Sequence, residues 1–311
     1  MNLASAKTVR LPALLATLLL LAACAQTTSY QEPQVAGHEP AGITESSGIA
    51  ASHRDRRLLW THNDSGGQPV LYGLDPSGAR RGDVRLAGVR NTDWEDIASF
   101  ELDGRAWILV ADTGDNAGLR HDCALYVIAE PDPATLSPSQ ELTVPVAWKI
   151  SVRFPDGPHD CEAVAVDPVG GLVYLLTKRT TPPALYTLPL RPAAGAAVPA
   201  ALCVAQLRQF PQPSLAQSLL PIPTSRYRGQ PTGMDFAPDG SAAVVLTYGE
   251  VCLFPRQPGE TWVAALSRKP RVLAPHGLLQ AEGVGFGQDS RTLYVTSEGA
   301  GSAILLYRPE K

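Results

Sequence analysis

The chain has 311 residues, with 26 Lys and Arg against 30 Asp and Glu, so its formal net charge is −4 at pH 7. A mildly acidic chain lacks the basic surface that nucleic-acid binding requires, and this composition excludes nucleic acid as a partner. The length suffices for one large domain or two small ones.

The N-terminal segment has the form of a secretory signal. Lys7 and Arg10 precede an apolar stretch over residues 11–23, and small residues lead up to Cys24. The alternative, a transmembrane anchor, is disfavoured because about 13 helical residues fall well short of a ~30 Å hydrocarbon core. The run Leu21-Ala22-Ala23-Cys24 resembles the lipobox of bacterial lipoproteins, in which the cysteine is lipidated and becomes the first residue of the mature chain.

This resemblance implies a protein of the bacterial cell envelope. Residues 1–23 would be a lipoprotein signal peptide, and Cys24 would carry acyl chains such as palmitate that anchor the protein to a lipid membrane. Ala25 follows the cysteine. A residue other than Asp at that place usually implies sorting to the outer membrane, so we expect the protein to face the periplasm from there.

Five segments of the remaining chain share one pattern. In each segment the first and third residues are polar and the second is variable. The fourth is small or acidic, and apolar residues alternate after it. The segments begin at Glu45, Asp93, Asp160, Gln230 and Gln280. A second apolar run follows each segment, usually after an Asp-Gly or Asp-Pro turn, and most units have a third run. Short β-branched and aromatic runs with such turns predict antiparallel strands.

A strand unit that recurs along the chain is typical of a β-propeller, because one blade cannot bury both of its faces without neighbours. The sequence therefore predicts an all-β propeller with five blades. The fifth unit ends at Tyr307, too early for a fourth strand, so residues 31–37 are predicted to supply that strand and close the last blade. Two alternatives stay open: a sixth blade within the proline-rich residues 200–229, and a β-sandwich.

The chain is thus predicted to have three parts. Residues 1–23 are the signal peptide, residues 24–40 are a lipidated tether that includes the closing strand, and residues 41–311 are a single propeller domain. We expect the protein to be a monomer.

Four cysteines lie within the predicted propeller: Cys123, Cys161, Cys203 and Cys252. None belongs to a C-x-x-C pair, so zinc is not indicated. In an oxidising compartment they can form up to two disulfides, with three possible pairings. Buried free thiols are the alternative, and the sequence does not choose between the two.

Several strings resemble those of exported bacterial β-propeller lipoproteins, which are loosely similar to the phytase-like, esterase-like and SdiA-regulated propellers. They are Asn63-Asp64-Ser65-Gly66, Thr177-Lys178 and the runs at residues 93–98, 112–116 and 160–164. The resemblance implies a tunnel mouth at which carboxylates bind calcium and, in some relatives, support phosphate-ester hydrolysis. The chain shows no copy of a phytase's Lys- and Arg-rich active-site set, so only the metal-binding tunnel mouth is carried over.

Equivalent strand positions of a propeller converge around its axis, and here several of them are charged. The residues at these positions are Glu95, Glu162, Glu282, Asp112, Glu298 and Lys178. So many facing carboxylates cannot all ionise without compensation. Oxygen-only ligands favour Ca²⁺ or Mg²⁺, and Glu95, Glu162 and Glu282 are the predicted ligands of a Ca²⁺ ion. The alternative is a set of strand-end polar groups that pair with Lys178 and water.

Two functions are compatible with these residues, and the sequence leaves open whether the protein is an enzyme. In the first, a cation-dependent hydrolase cleaves an ester, lactone or phosphoester of an unknown small molecule. Asp112 or Glu298 would be the base, and Lys178 would stabilise the developing negative charge. In the second, the propeller is a non-enzymatic scaffold that binds an envelope protein or glycan and holds at most a structural cation.

Overall fold

The computed structural model of the protein describes residues 29–193 and 199–310. The predicted signal peptide and the predicted lipid anchor Cys24 lie outside these ranges. The described strands form five sheets whose innermost strands contact one another in a closed ring, which confirms the predicted five-bladed β-propeller. Within the described ranges, no helix is long and apolar enough to cross a membrane.

The chain enters the propeller with β1 (Gln34–His38) and then builds the blades from the axis outwards. Blade 1 contains β2 (Ser46–Ala51), β3 (Leu59–Asn63), β4 (Val70–Leu74) and β5 (Arg80–Ala87). Blade 2 contains β6 (Trp94–Leu102), β7 (Arg105–Asp112), β8 (Ala124–Ala129) and β10 (Trp148–Ser151). Blade 3 contains β11 (Cys161–Asp167), β12 (Leu172–Thr177), β13 (Ala184–Pro189) and β14 (Leu202–Gln206). Blade 4 contains β15 (Pro231–Phe236), β16 (Ala242–Thr247), β17 (Val251–Pro255) and β18 (Arg271–Val272).

Blade 5 contains β19 (Ala281–Phe286), β20 (Leu293–Ser297) and β21 (Ala303–Tyr307), and β1 completes it. β1 pairs with β21 in antiparallel register, with Gln34 opposite Leu306 and His38 opposite Ala303. The two ends of the described propeller are thereby joined in one sheet, as the sequence predicts for residues 31–37.

One strand departs from the simple order. The segment between β8 and β10 crosses to the neighbouring blade, where β9 (Glu141–Pro145) pairs with β5 in parallel, with Asp83 opposite Glu141. Arg85 donates to Glu141 across this junction, with Nε 2.5 Å from Oε1. The sequence pattern of residues 141–145 does not predict that β9 joins blade 1. A parallel pairing at the edge of a sheet depends on which blade lies beside the segment in the fold.

The alternative of a sixth blade is wrong. Residues 200–229 supply β14, which is the outer strand of blade 3, and then a short helix α1 (Leu215–Ser218) and a turn of 3₁₀-helix (Ser225–Tyr227). Prolines in this stretch lack the N–H donor that an inner strand needs. A second α-helix, α2 (Trp262–Leu266), lies between β17 and β18 of blade 4, and a further turn of 3₁₀-helix (Pro133–Thr135) lies between β8 and β9.

The core lies between neighbouring blades, because successive residues of each strand face opposite sides of the sheet. In β11, Val164 packs in the cluster shared with blade 2, whereas Ala163 and Ala165 pack in the cluster shared with blade 4. Trp60 and Trp94 are fully buried in the cluster between blades 1 and 2. Each blade therefore buries both faces only when the ring is complete.

The four cysteines of the propeller are free thiols in the structure. Cys123, Cys161 and Cys252 are buried and Cys203 is exposed. Of the two alternatives that the sequence leaves open, the structure therefore has the free thiols. The buried ones behave as small apolar side chains of the core.

Candidate metal centre

Each innermost strand begins with a β-bulge at the same place. The ladder skips one residue between Ser46 and Gly48, Trp94 and Asp96, Cys161 and Ala163, and Pro231 and Gly233, and two residues between Ala281 and Val284. The residues at these bulges form an inner ring of Ser47, Glu95, Glu162, Thr232 and Glu282. A bulge leaves its extra residue unpaired and re-aims the side chain. All five side chains are almost completely buried, and each of the three glutamates is 2% exposed.

Lys178 is the cation of this ring. It directly follows β12, and its Nζ lies 2.6 Å from Glu162 Oε2 and 3.8 Å from Glu282 Oε1. The same Nζ is 4.9 Å from the centre of the Tyr248 ring. Burial lowers the pKa of Lys178, but the carboxylates of Glu162 and Glu282 outweigh it and raise the pKa well above its usual value. Lys178 is therefore charged at neutral pH.

Glu95 belongs to two groups of carboxylates. In each group, one ligand oxygen per residue lies within 4.8 Å of the others. The first group, here named the acid cluster, consists of Asp64, Asp93 and Glu95; the second consists of Glu95, Asp160 and Glu162. Asp64 comes from the turn after β3, and Asp93 immediately precedes β6. These acidic side chains can therefore hold a metal ion, and the buried Glu95 is the residue that the two groups share.

Burial and mutual repulsion disfavour the charged forms of these carboxyl groups. Burial, and after it the charge of Asp93, raises the pKa of Asp64 to about 8. Burial also raises the pKa of Glu162 to about 7, although Lys178 opposes the shift. The pKa values of Glu95 and Glu282 lie well above their usual range, again chiefly because both are buried. Without a bound metal ion, Asp64 is therefore mostly protonated at neutral pH and Glu162 partly so, and a bound metal ion would displace these protons.

Three oxygens of these residues have no hydrogen-bond partner in the described part of the chain: Glu95 Oε1, Glu282 Oε2 and Asp64 Oδ1. The other oxygen of Glu95 accepts a long bond of 3.4 Å from Ser47 Oγ. A buried polar atom left without a partner costs about 1–3 kcal/mol. The donor set consists of oxygen atoms alone, and this composition fits Ca²⁺ or Mg²⁺.

Two aspartates outside the inner ring, Asp112 and Asp160, form ion pairs with arginines. Arg120 Nη2 donates to Asp112 Oδ1 over 2.7 Å, and Arg179 Nε donates to Asp160 Oδ2 over 2.7 Å. Asp112 Oδ1 also accepts the backbone N–H of Asp93 over 3.2 Å. Asp112 is one of the two bases predicted from the sequence. In the structure it forms an ion pair with Arg120 and fixes the backbone of Asp93, which belongs to the acid cluster.

The loop at residues 112–116 packs directly against the acid cluster. A Cβ atom on Gly114 would lie 2.0 Å from Glu95 Oε1 and 2.5 Å from Asp93 Oδ2, so any larger residue would displace at least one of these carboxylates. The Asp115 carboxylate accepts the backbone N–H groups of Leu119 and Arg120, over 2.8 Å each, and so holds the chain that follows the loop. This loop therefore shapes the cluster through its backbone.

Glu298 lies at the rim of the tunnel mouth. Gln280 Nε2 donates to Glu298 Oε2 over 2.5 Å, and burial raises the pKa of Glu298 while Lys178 lowers it. Among the predicted site residues, the structure thus brings Glu95, Glu162, Glu282 and Lys178 together. It leaves Glu298 at the rim and Asp112 with Arg120.

A further carboxyl group forms the floor of the site. Asp96 in β6 follows Glu95, and its Oδ2 accepts the backbone N–H groups of Val164 over 2.8 Å and Met234 over 3.2 Å. Because these donors belong to blades 3 and 4, the Asp96 side chain lies across the axis. Sequence reasoning missed both Asp96 and Asp64. Asn63-Asp64-Ser65-Gly66 is also the composition of a tight turn, and Asp96 lies within a strand, so neither aspartate stands out in the sequence as a site residue.

No protein-family model matches the chain, and no curated protein matches it. Among solved structures, it is similar to a gluconolactonase from Xanthomonas campestris, with 14% identity, 89% of each chain covered and a TM-score of 0.46. It is also similar to a chain of a nidogen/laminin complex, with 15% identity, 82% of this chain and 73% of the other covered, and a TM-score of 0.42. At these values neither likeness bears on the activity of this protein.

Proposed function

We propose that the protein binds a divalent cation, Ca²⁺ or Mg²⁺, at the acid cluster and hydrolyses an ester, lactone or phosphoester beside it. One observation carries the proposal. Glu95 Oε1 is buried without a hydrogen-bond partner among the described residues, at the corner where two groups of carboxylates meet. Asp64, Asp93 and Glu95 would supply ligands, and Asp160 and Glu162 lie beside them. When bound, such a cation can polarise a carbonyl or phosphoryl oxygen.

The other residues of the site have roles in this proposal that follow from their contacts. Lys178 stabilises negative charge that develops on the substrate, and Glu162 and Glu282 fix its ammonium group. Glu298 at the rim is the candidate base, since its carboxyl group is half-buried and its pKa is raised. Asp112 is a positioning residue, because Arg120 already holds its carboxylate.

The test is a calorimetric titration of Ca²⁺ and of Mg²⁺ into the chain from Ala25 onwards, which contains every described strand. We expect binding in the wild type and its loss in Glu95→Gln. The matched control is Glu101→Gln, a glutamate of the same strand β6 that is exposed at its other end. Equal binding by wild type and Glu95→Gln would contradict the proposal. Binding would justify a screen of esters, lactones and phosphoesters.

A second function has one observation in its favour. Lys178 already supplies a positive charge between Glu162 and Glu282, so part of the ring is neutralised without a metal ion. This favours a non-enzymatic envelope module in which the tunnel mouth is a rigid binding surface. If neither cation binds and no ester, lactone or phosphoester turns over, this second function becomes the better account.

We also propose that the protein is anchored in the bacterial envelope through a lipidated Cys24, on the outer membrane and facing the periplasm. The support is the resemblance of residues 21–24 to a lipobox. Labelling of growing cells with palmitate tests it. The wild type and the control Cys203→Ala should incorporate label and sediment with outer membranes, and Cys24→Ala should do neither. Label retained by Cys24→Ala would contradict the anchor.

A further inference from the structure

A pocket of about 430 Å³ opens beside the inner ring, between blades 3 and 4. Its walls come from the β12–β13 loop, from the residues after β14 and from the residues just before β15. Three cationic side chains line it, Lys178, Arg208 and Arg226, and none of the lining residues is acidic. We name it the cationic pocket. Its positive lining contrasts with the carboxylates of the neighbouring inner ring and with the net charge of −4 of the whole chain.

The two arginines of the cationic pocket are free to bind a ligand. Arg208 donates only to Gln206 Oε1, over 3.3 Å. Arg226 is exposed and has no hydrogen bond or ion pair within residues 29–193 and 199–310. Arg120 and Arg179 near the same tunnel mouth differ, since each is in an ion pair with an aspartate. An unpaired guanidinium group offers two parallel N–H donors that match a carboxylate or a phosphate.

A neutral polar group of the pocket also lacks a partner. Gln230 Oε1 is buried and accepts no hydrogen bond in the described part of the chain. Gln230 immediately precedes the inner strand β15, so it lies between the cationic pocket and the inner ring. A hydroxyl group on a ligand would supply the missing donor.

The cationic pocket depends on a segment that the other blades lack. Residues 207–230 connect β14 to β15, whereas residues 88–93 suffice to connect β5 to β6. The long segment is held in place, because Thr224 Oγ1 donates to the carbonyl of Leu279 over 2.8 Å and Arg228 Nη2 donates to the carbonyl of Gly249 over 3.1 Å. It is therefore a built wall of the pocket.

We propose that the cationic pocket binds an anionic group, a carboxylate or a phosphate, of the molecule that the neighbouring site acts on. The inference rests on the proposed function for its account of the reaction, and it assigns the substrate to the class of hydroxylated anionic esters or lactones. Lys178 joins the two sites, because it lines the pocket while its Nζ lies 2.6 Å from Glu162 of the inner ring. An anion held by Arg208 and Arg226 would place the rest of the molecule over the ring.

The test measures anion binding without metal. The full-length chain in a non-ionic detergent is stripped of metal, dialysed into chelator-free Tris buffer, and titrated calorimetrically with inorganic phosphate and, separately, with acetate. We expect one of the two anions to bind the wild type. Arg208→Gln and Arg226→Gln should each weaken that binding by about tenfold, because each loses a charge-assisted hydrogen bond. The matched control is Arg90→Gln, an exposed arginine outside the pocket, which should bind as the wild type does.

The two anions distinguish the sources of the charge: stronger phosphate binding assigns a phosphate-bearing substrate, and stronger acetate binding assigns a carboxylate-bearing one. If neither anion binds, or if both arginine variants bind as tightly as the wild type, the inference is overturned. A Ca²⁺ titration of the same variants separates this failure from that of the proposed function. Cation binding without anion binding overturns the cationic pocket alone, whereas anion binding without cation binding supports the pocket and overturns the cation-dependent chemistry.

Discussion

Lys178 Nζ lies 2.6 Å from Glu162 Oε2, and the two side chains are 6% and 2% exposed. The lysine follows the second strand of blade 3 and the glutamate lies at the bulge of its first strand, so the pair fixes the two inner strands of that blade at the tunnel mouth. Breaking a buried pair by removing one partner is costly because the other charge is left uncompensated.

Lys178→Met should therefore lower the free energy of unfolding by about 3–5 kcal/mol. Urea unfolding measures the change. The double variant Lys178→Met/Glu162→Gln should recover part of the loss, because it removes the uncompensated charge. Lys149→Met is the control, since Lys149 is exposed on the outer strand β10 and should leave the midpoint nearly unchanged. A Lys178→Met protein as stable as the control would show that the pair does not stabilise the blade.

Binding of Ca²⁺ should release protons and should strengthen as the pH rises. The pKa of the proposed ligand Asp64 is raised to about 8, so Asp64 must lose its proton before it can bind a cation. The pKa of the neighbouring Glu162 is raised to about 7, and the charge of a nearby cation favours the loss of that proton as well. Calorimetry at pH 7 in two buffers with different ionisation enthalpies would measure the released protons. Ca²⁺ affinity should increase between about pH 6 and about pH 8. Binding that is independent of both pH and buffer would place the cation elsewhere.

The metal-free protein should lose stability as the pH rises through the same range. Asp64 and Glu162 have raised pKa values in the folded protein, so the folded state holds more protons than the unfolded state from about pH 4 to about pH 8. Their contribution is fully present below the unfolded pKa and disappears as the pH passes the folded pKa. Asp64→Asn should flatten this slope in melting curves, and saturating Ca²⁺ should remove it. A wild-type slope of the opposite sign would refute the assignment.

Gly114→Ala should weaken cation binding while the propeller stays folded. The new methyl group would lie 2.0 Å from Glu95 Oε1 and 2.5 Å from Asp93 Oδ2, so at least one ligand must move away. We expect a loss of affinity of about tenfold or more, comparable to other changes beside metal ligands. Gly42→Ala is the control, because no atom lies within 4 Å of its added Cβ. Unchanged Ca²⁺ affinity in Gly114→Ala would show that the cation does not use this cluster.

The sequence by itself determined the repeating unit and the register of the ring. The five polar strand starts predicted five blades, and residues 31–37 predicted the strand that closes the last one, because strand patterns and turns are local properties of the chain. The same alignment predicted that Glu95, Glu162, Glu282 and Lys178 lie at the tunnel mouth. Equivalent positions of repeated units converge on an axis whatever their side chains are.

Only the tertiary structure decided which of these groups have partners. Asp112 and Asp160 are bound by Arg120 and Arg179, while Glu95 keeps a buried oxygen without a donor in the described residues. The common bulge, the placement of Asp96 across the axis and the pairing of β9 with blade 1 also appear only in the fold. The bulge depends on how the first two strands of a blade pair, and the other two features depend on contacts between different blades. Strand periodicity does not encode either kind of contact.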